Sequence, residues 1–224
     1  MLQGVLWDMD GLMFDTERIG QQGWQAAARA LGIEIPAAVV TAMRGTGPEV
    51  CRRLFNERIP GQRYDEARAI RQQYAADWIA RHGVPVKPGL HTLLYWLRDK
   101  GIPSVLATST RRELARSYLD QAGVTDLFAD MVFGPEVAHP KPAPDIFLAA
   151  AARIGADPAR CLVLEDSPNG LRAARAAGCR AIVVPDLTPA PPAEEHLWDG
   201  CAANLREVIP LLERWEAAPA PSGA

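Results

Sequence analysis

The chain has 224 residues, 48% of them apolar and 23% charged, a balance that supplies a buried core and excludes a disordered or fibrous chain. Lys plus Arg is 24 and Asp plus Glu is 27, so the net charge is −3, too even to draw the chain to nucleic acid or to an anionic membrane. No apolar run approaches the ~18 residues of a membrane span, and the opening residues lack a signal-peptide pattern. Cys51, Cys161, Cys179 and Cys201 stand far apart with no Cys-x-x-Cys pair. That spacing fits reduced, mostly packing thiols, and a cytoplasmic protein is expected. The length corresponds to roughly 1.5 domains, so one large domain or one with an insertion.

In chain order, the first apolar run is Leu2–Trp7, read as a strand, and Asp8-Met9-Asp10-Gly11 follows it. From Thr16 to Val86 the pattern is helical, with Trp24, Leu31, Leu54, Tyr74 and Trp78 as apolar anchors. This stretch is too long for a single crossover helix and reads as an all-helical insertion, with Pro85 and Pro88 marking the return. A helix over Gly89–Lys100 then leads to the strand Ser104–Ala107 and to Thr108-Ser109-Thr110. Thr110 and Glu113 have capping-box spacing, which predicts that Thr110 caps the next helix. The strand Met131–Phe133 leads toward the loop Ala138-His139-Pro140-Lys141-Pro142, and the strand Cys161–Leu164 runs into Glu165-Asp166. Ser167 before Pro168 reads as a helix N-cap with proline at the first helical position. A last strand is expected over Ala181–Val184, then a proline-rich loop over Pro185–Pro192, and the tail over 217–224 is expected to fray.

Gly32, Gly83, Gly101, Gly123, Gly155 and Gly178 each follow a helical segment, where a C-terminal cap needs a left-handed residue. The strand runs are apolar almost throughout, as strands buried on both faces are. Strand alternating with helix gives an α/β fold, with helices on both faces of a parallel sheet. The expected division is a core over 1–15 and 87–216 and a helical domain over 16–86.

Ligands of an open parallel sheet bind beyond the carboxyl ends of its strands. Each strand end here delivers chemistry to that rim: Asp8 and Asp10, then Thr108 to Thr110, then His139 and Lys141, then Glu165 and Asp166. Side chains two apart on an extended segment share a side, so Asp8 and Asp10 can address one ligand together. Crowded carboxylates repel and raise one another's pKa unless a cation sits among them. Mg²⁺ suits them, because it binds through a few carboxylates plus a substrate phosphate. Hydroxyls and a lysine beside it are donors for phosphate oxygens. An aspartate set for in-line attack can form an aspartyl phosphate, and a second carboxyl can protonate the leaving alcohol and later deprotonate water.

The segment WDMDGLMFDTE (Trp7–Glu17) resembles the first signature of the haloacid dehalogenase-like superfamily, in its phosphatase and mutase branch. LATST (Leu106–Thr110), HPKPAPD (His139–Asp145) and LEDSPNG (Leu164–Gly170) resemble the remaining three, in order, over roughly Leu2 to Leu212. The resemblance implies a Rossmann-like core under a mobile helical cap that closes over substrate and excludes water. It implies Asp8 as nucleophile and Asp10 as general acid and base. Mg²⁺ would be held by Asp8, the backbone carbonyl of Asp10 and Asp166, with Glu165 nearby or contributing through water. Thr108 would hydrogen-bond the transferring phosphoryl group and Lys141 would offset its charge, while Ser109 matches a more variable phosphate-binding position. Asp15 and Thr16 would shape the entry into the cap, where Arg18, Trp24, Arg44 and Gly45 are candidates to face substrate. His139 reads as structural.

Asp10 and the complete acidic fourth motif speak against dehalogenation, and a helical segment without lysine, Lys87 being the first in the chain, speaks against a phosphonatase. Mutases of this branch carry a cap histidine where this chain has Gly20 and a phosphate-holding arginine where it has Pro48, and both departures speak against a mutase. A signalling receiver domain would place its aspartate after the third strand, not the first. The expected activity is therefore a Mg²⁺-dependent phosphatase acting on a small phosphate ester such as a sugar phosphate. A β-phosphoglucomutase-type phosphotransferase and a non-catalytic binding protein of the family stand as alternatives.

Overall fold

The computed structural model describes residues 2–44, 46–187 and 192–217. Gly45, part of the proline-rich loop and the tail from 218 on lie outside the described residues. The chain separates into two compact units, one over 1–13 and 86–224 and one over 14–85.

In the first unit the strands are β1 (Gly4–Trp7), β2 (Ser104–Thr108), β3 (Asp130–Phe133), β4 (Cys161–Glu165), β5 (Arg180–Val183) and β6 (Gly200–Cys201). Among the described residues they form one parallel sheet in the order β3-β2-β1-β4-β5-β6. Successive strand residues point to opposite faces, and here both sets are buried. Leu6, Val105, Ala107, Val132, Val163, Ala181 and Val183 join a single core cluster. That cluster includes Ile146, Phe147 and Ala150 of one helix and Leu171, Ala173 and Ala174 of another. The alternating Val5, Trp7, Leu106, Leu162, Leu164 and Ile182 are buried as fully. This two-sided burial is why the strands read as continuous apolar runs, and the α/β class follows from it. The sixth strand has two residues, one of them exposed, which is too short to leave an apolar run in the sequence.

The helices of this unit are numbered after four in the other, so they run from α5 to α9. They are α5 (Leu90–Asp99), α6 (Arg112–Ala122), α7 (Asp145–Arg153), α8 (Pro168–Ala176) and α9 (Val208–Ala217). All six glycines expected to end helices have positive φ. Ser167 caps α8, its hydroxyl accepting from the Gly170 N–H at 3.1 Å, with Pro168 opening the helix.

The second unit holds α1 (Thr16–Leu31), α2 (Ala37–Met43), α3 (Pro48–Arg58) and α4 (Tyr64–His82). Its core gathers Trp24, Ala27, Val39, Val40, Met43, Phe55, Ile59, Tyr64 and Ala67. Trp24, Phe55 and Tyr64 meet pairwise at 5.6–6.2 Å between ring centroids, each such pair adding about 0.5–1.5 kcal/mol beyond its buried area. Of the expected anchors, Trp24 is buried here and Leu31 and Leu54 pack against the cluster. Tyr74 and Trp78 are only half-buried: the Tyr74 hydroxyl donates to Gln22 and Trp78 stacks on His82. α1 and α4 pack closely because Gly20 and Gly23 offer no side chain. A Cβ at Gly23 would lie 2.9 Å from the Arg71 carbonyl oxygen, and one at Gly20 would lie 2.3 Å from Arg71 Nη2.

Candidate active site

The strand order reverses at β1, whose neighbours are β2 on one side and β4 on the other. Such a switch point opens a crevice beyond the carboxyl ends of the two strands. Asp8 leaves the end of β1, its N–H donating to Leu164 O at 3.1 Å, and Glu165 and Asp166 lie at the end of β4. The sheet thus carries both acidic segments to one place.

Lys141 reaches into that place from the loop before α7. Its ammonium donates to Asp8 Oδ1 at 2.5 Å and to Glu165 Oε1 at 2.7 Å, and all three side chains are buried. Its Nζ also lies 4.8 Å from the centroid of the Phe147 ring. The loop is closed by Asp145, whose Oδ1 accepts the His139 backbone N–H at 3.2 Å and lies 2.9 Å from its ring Nδ1. His139 is 74% exposed, so its part is to tie the loop that delivers Lys141.

Glu165 is fully buried. Its Oε2 accepts from the backbone N–H groups of Asp166 and Ser167 and from the Ser167 hydroxyl, each at 2.9 Å. A Cβ at Gly170 would lie 1.6 Å from Glu165 Oε1, so the first turn of α8 must carry a glycine for this carboxylate to lie against it. Gly11 plays the matching part for Asp166: φ is +85°, and a Cβ there would meet Asp166 Oδ2 at 2.2 Å.

Carboxylate oxygens of Asp8, Glu165 and Asp166 come within 4.8 Å of one another. Three carboxylates against one ammonium leave an excess of negative charge. Burial pushes the Asp8 carboxyl up to about 7; Lys141 opposes the shift, and Glu165 and Asp10 add to it. For Lys141 burial works against the charge, but Asp8 and Glu165 outweigh it and hold the ammonium above the ordinary lysine range. A hard, oxygen-preferring cation fits this donor set: the oxygens are close enough to share it, and it would relieve the pressure that protonates Asp8.

Thr108, at the end of β2, is buried, and its Oγ1 accepts the Thr110 N–H at 3.1 Å. Ser109 is exposed, with its backbone held against Gly134, where a Cβ would lie 2.6 Å from the Ser109 carbonyl oxygen. Thr110 departs from the expected helix cap. Helix α6 has Arg111 at its N-cap with no side-chain cap, and Thr110 Oγ1 instead donates to Asp10 Oδ2 at 2.6 Å. A hydroxyl cap is worth about 1 kcal/mol, and this helix forgoes it. Glu113 supplied the local pattern of a capping box, whereas the partner that prevails is 100 residues away in sequence.

A part-buried ion pair between Lys87 and Asp186, just beyond β5, also escaped the sequence reading. In the helical unit Arg18 pairs with Asp15 at 2.9 Å and remains 60% exposed, and Pro48 opens α3.

Residues 2–178 match the model of the haloacid dehalogenase-like hydrolases. Among curated proteins, the chain is 36% identical over 187 residues to one of Drosophila melanogaster named "Probable pseudouridine-5'-phosphatase", covering 81% of this chain and 80% of that one. It is 30% identical to the plasmid-borne protein CbbY of Cupriavidus necator, covering 96% and 93% of the two chains. Among solved structures, CbbY from Rhodobacter sphaeroides in complex with phosphate superposes with a TM-score of 0.75 at 25% identity, covering 93% of this chain and 96% of that one. A β-phosphoglucomutase from Clostridium difficile superposes at 0.77 with 19% identity, covering 97% and 98%, a likeness of fold.

Proposed function

The chain belongs to the haloacid dehalogenase-like hydrolases, and on that premise we propose that it is a Mg²⁺-dependent phosphatase that hydrolyses a small phosphorylated metabolite through an aspartyl phosphate. The observation that carries this reading is the buried Asp8–Lys141–Glu165 group at the switch point, with Asp166 within reach of a shared cation. Asp8, Asp166 and the backbone carbonyl of Asp10 would hold Mg²⁺, with Glu165 beside them, and the helical unit would serve as the cap. The ion supplies charge neutralisation for the nucleophile and the phosphoryl oxygens.

The residues of the chain divide the remaining work. The Asp8 carboxylate attacks phosphorus and forms the acyl-phosphate bond as the ester P–O bond breaks. The Asp10 carboxyl gives its proton to the departing alcohol oxygen. In the second half Asp10, now a carboxylate, takes a proton from the water that attacks phosphorus. Inorganic phosphate leaves and both aspartates return to their starting states. Lys141 and the Thr108 hydroxyl donate to the phosphoryl oxygens, their burial strengthening both contacts, and the exposed Ser109 contributes beside them.

Hydrolysis rather than mutase chemistry is favoured by Gly20, where the Arg71 guanidinium occupies the space in which a side chain would begin. The test is phosphate release from a panel of sugar phosphates, nucleotides and other small esters, with Mg²⁺, with EDTA, and with Asp8→Asn. Release that needs both the metal and Asp8 is the expected result. No release from any ester, but exchange between glucose 1- and 6-phosphates given a bisphosphate, would assign a mutase. Absence of both would return the chain to a binding role.

A further inference from the structure

We propose that Thr110 is a positioning residue for proton transfer, holding the Asp10 carboxyl in register with the leaving oxygen. The proposal rests on the acid and base role given to Asp10 above. Its observation is the 2.6 Å hydrogen bond from Thr110 Oγ1 to Asp10 Oδ2.

Three features make this bond a built one. Thr110 is itself pinned, because its N–H donates to Thr108 Oγ1 at 3.1 Å. The intervening residue is backed by Gly134, whose missing side chain lets the Ser109 backbone approach. Helix α6 has Arg111 at its N-cap and no side-chain cap, so the Thr110 hydroxyl is not spent on the helix. The same short segment therefore sets two groups at once: the Thr108 oxygen accepts from the backbone and keeps its O–H for a phosphoryl oxygen, while Thr110 reaches Asp10.

A hydroxyl suits this task better than a lysine or a backbone N–H. It donates to a carboxylate and can accept from a carboxylic acid, so one residue can orient Asp10 in both of its protonation states. Proton transfer contributes about 10²–10⁴-fold to a rate, and it depends on hydrogen-bond reach to the reacting oxygen. A displacement of about 1 Å can cost on the order of 100-fold.

The experiment compares Thr110→Val, Thr110→Ala, Thr110→Ser and Asp10→Asn with the parent protein. The substrates are p-nitrophenyl phosphate, phenyl phosphate and an alkyl phosphate such as glycerol phosphate. The quantity read is kcat/KM, which reports the steps up to loss of the alcohol. Nitrophenolate departs without a proton, whereas an alkoxide needs one. The Val and Ala variants are expected to lose roughly 10–100-fold on the alkyl ester, at least about ten times more than on the nitrophenyl ester. Thr110→Ser, which keeps the hydroxyl, should recover most of the loss. Equal losses across the three esters, or a Ser variant no better than Ala, would overturn the role of Thr110. The Asp10→Asn control separates the two ideas. If its own loss does not depend on the leaving group, the acid role of Asp10 falls. If it does and that of Thr110→Val does not, only the present inference falls.

Discussion

Replacing Lys141 by Met tests the electrostatics of the site through stability, independently of any substrate. Met keeps an apolar stem of similar length and removes the ammonium that lies over the Phe147 ring and bridges Asp8 and Glu165. Those two carboxylates have side chains only 11% and 1% exposed, so bulk water replaces Nζ poorly. Removing one partner of a buried ion pair costs about 3–5 kcal/mol. Glu165 keeps its three donors on Oε2, which points to the lower part of that range. For a chain of this size each kcal/mol lowers Tm by about 2–4 °C, so a loss of about 3–4 kcal/mol gives a fall of roughly 6–16 °C. The assay is thermal unfolding in EDTA, where no cation can stand in for Nζ. Because Lys141 opposes the upward shift of Asp8, its removal raises that carboxyl further; a proton taken up there offsets part of the loss, and the loss should grow from about pH 7 to about pH 9. Adding Glu165→Gln to Lys141→Met should restore a large part of the loss, because the two changes are coupled through one contact. A fall of less than about 3 °C would refute the electrostatic account.

Two further outcomes follow from the same geometry. Gly170→Ala puts a Cβ where Glu165 Oε1 lies, so the carboxylate must move and give up hydrogen bonds; a loss of about 1–3 kcal/mol in denaturant unfolding is expected, although alanine is the better helix former. The Asp8 carboxyl, raised to about 7 in the folded chain, binds its proton there more tightly than in the unfolded chain. Its contribution to stability is therefore complete below about pH 4 and is lost as pH rises through 7. In EDTA the Tm of the parent minus that of Asp8→Asn should decline over this interval, and a difference constant with pH would count against the burial argument.

The sheet could be read from the sequence because burial on both faces makes each long strand a continuous apolar run; Asp8, Thr108, Glu165 and Asp166 stand at or just after the ends of such runs, and Lys141 lies in the loop that follows β3. The structure brings Asp8, Lys141, Glu165 and Asp166 together at the carboxyl ends of β1 and β4. β6 could not be read, since two residues carry no pattern. Thr110 could not be assigned for a different reason. A threonine three residues before a glutamate is a capping signal wherever it occurs, and only the proximity of β1 and β2 in the sheet offers Asp10 as the stronger partner. The anchors of α4 were misjudged because that helix buries only Tyr64, Ala67 and Ile79, too few to set a period.

The Lys87 N–H donates to Met13 O at 2.9 Å, so the first unit is closed by a hydrogen bond at the point where the chain departs and returns. To the sheet, everything between these residues is a loop with a sealed base. The entropy of closing a loop grows only logarithmically, about 0.6 kcal/mol for each doubling of its length. A segment of very different size or composition could be spliced at this seam at little cost to the stability of the sheet. The position therefore lets the inserted segment be exchanged over evolutionary time while the sheet and the acidic group at its strand ends stay intact.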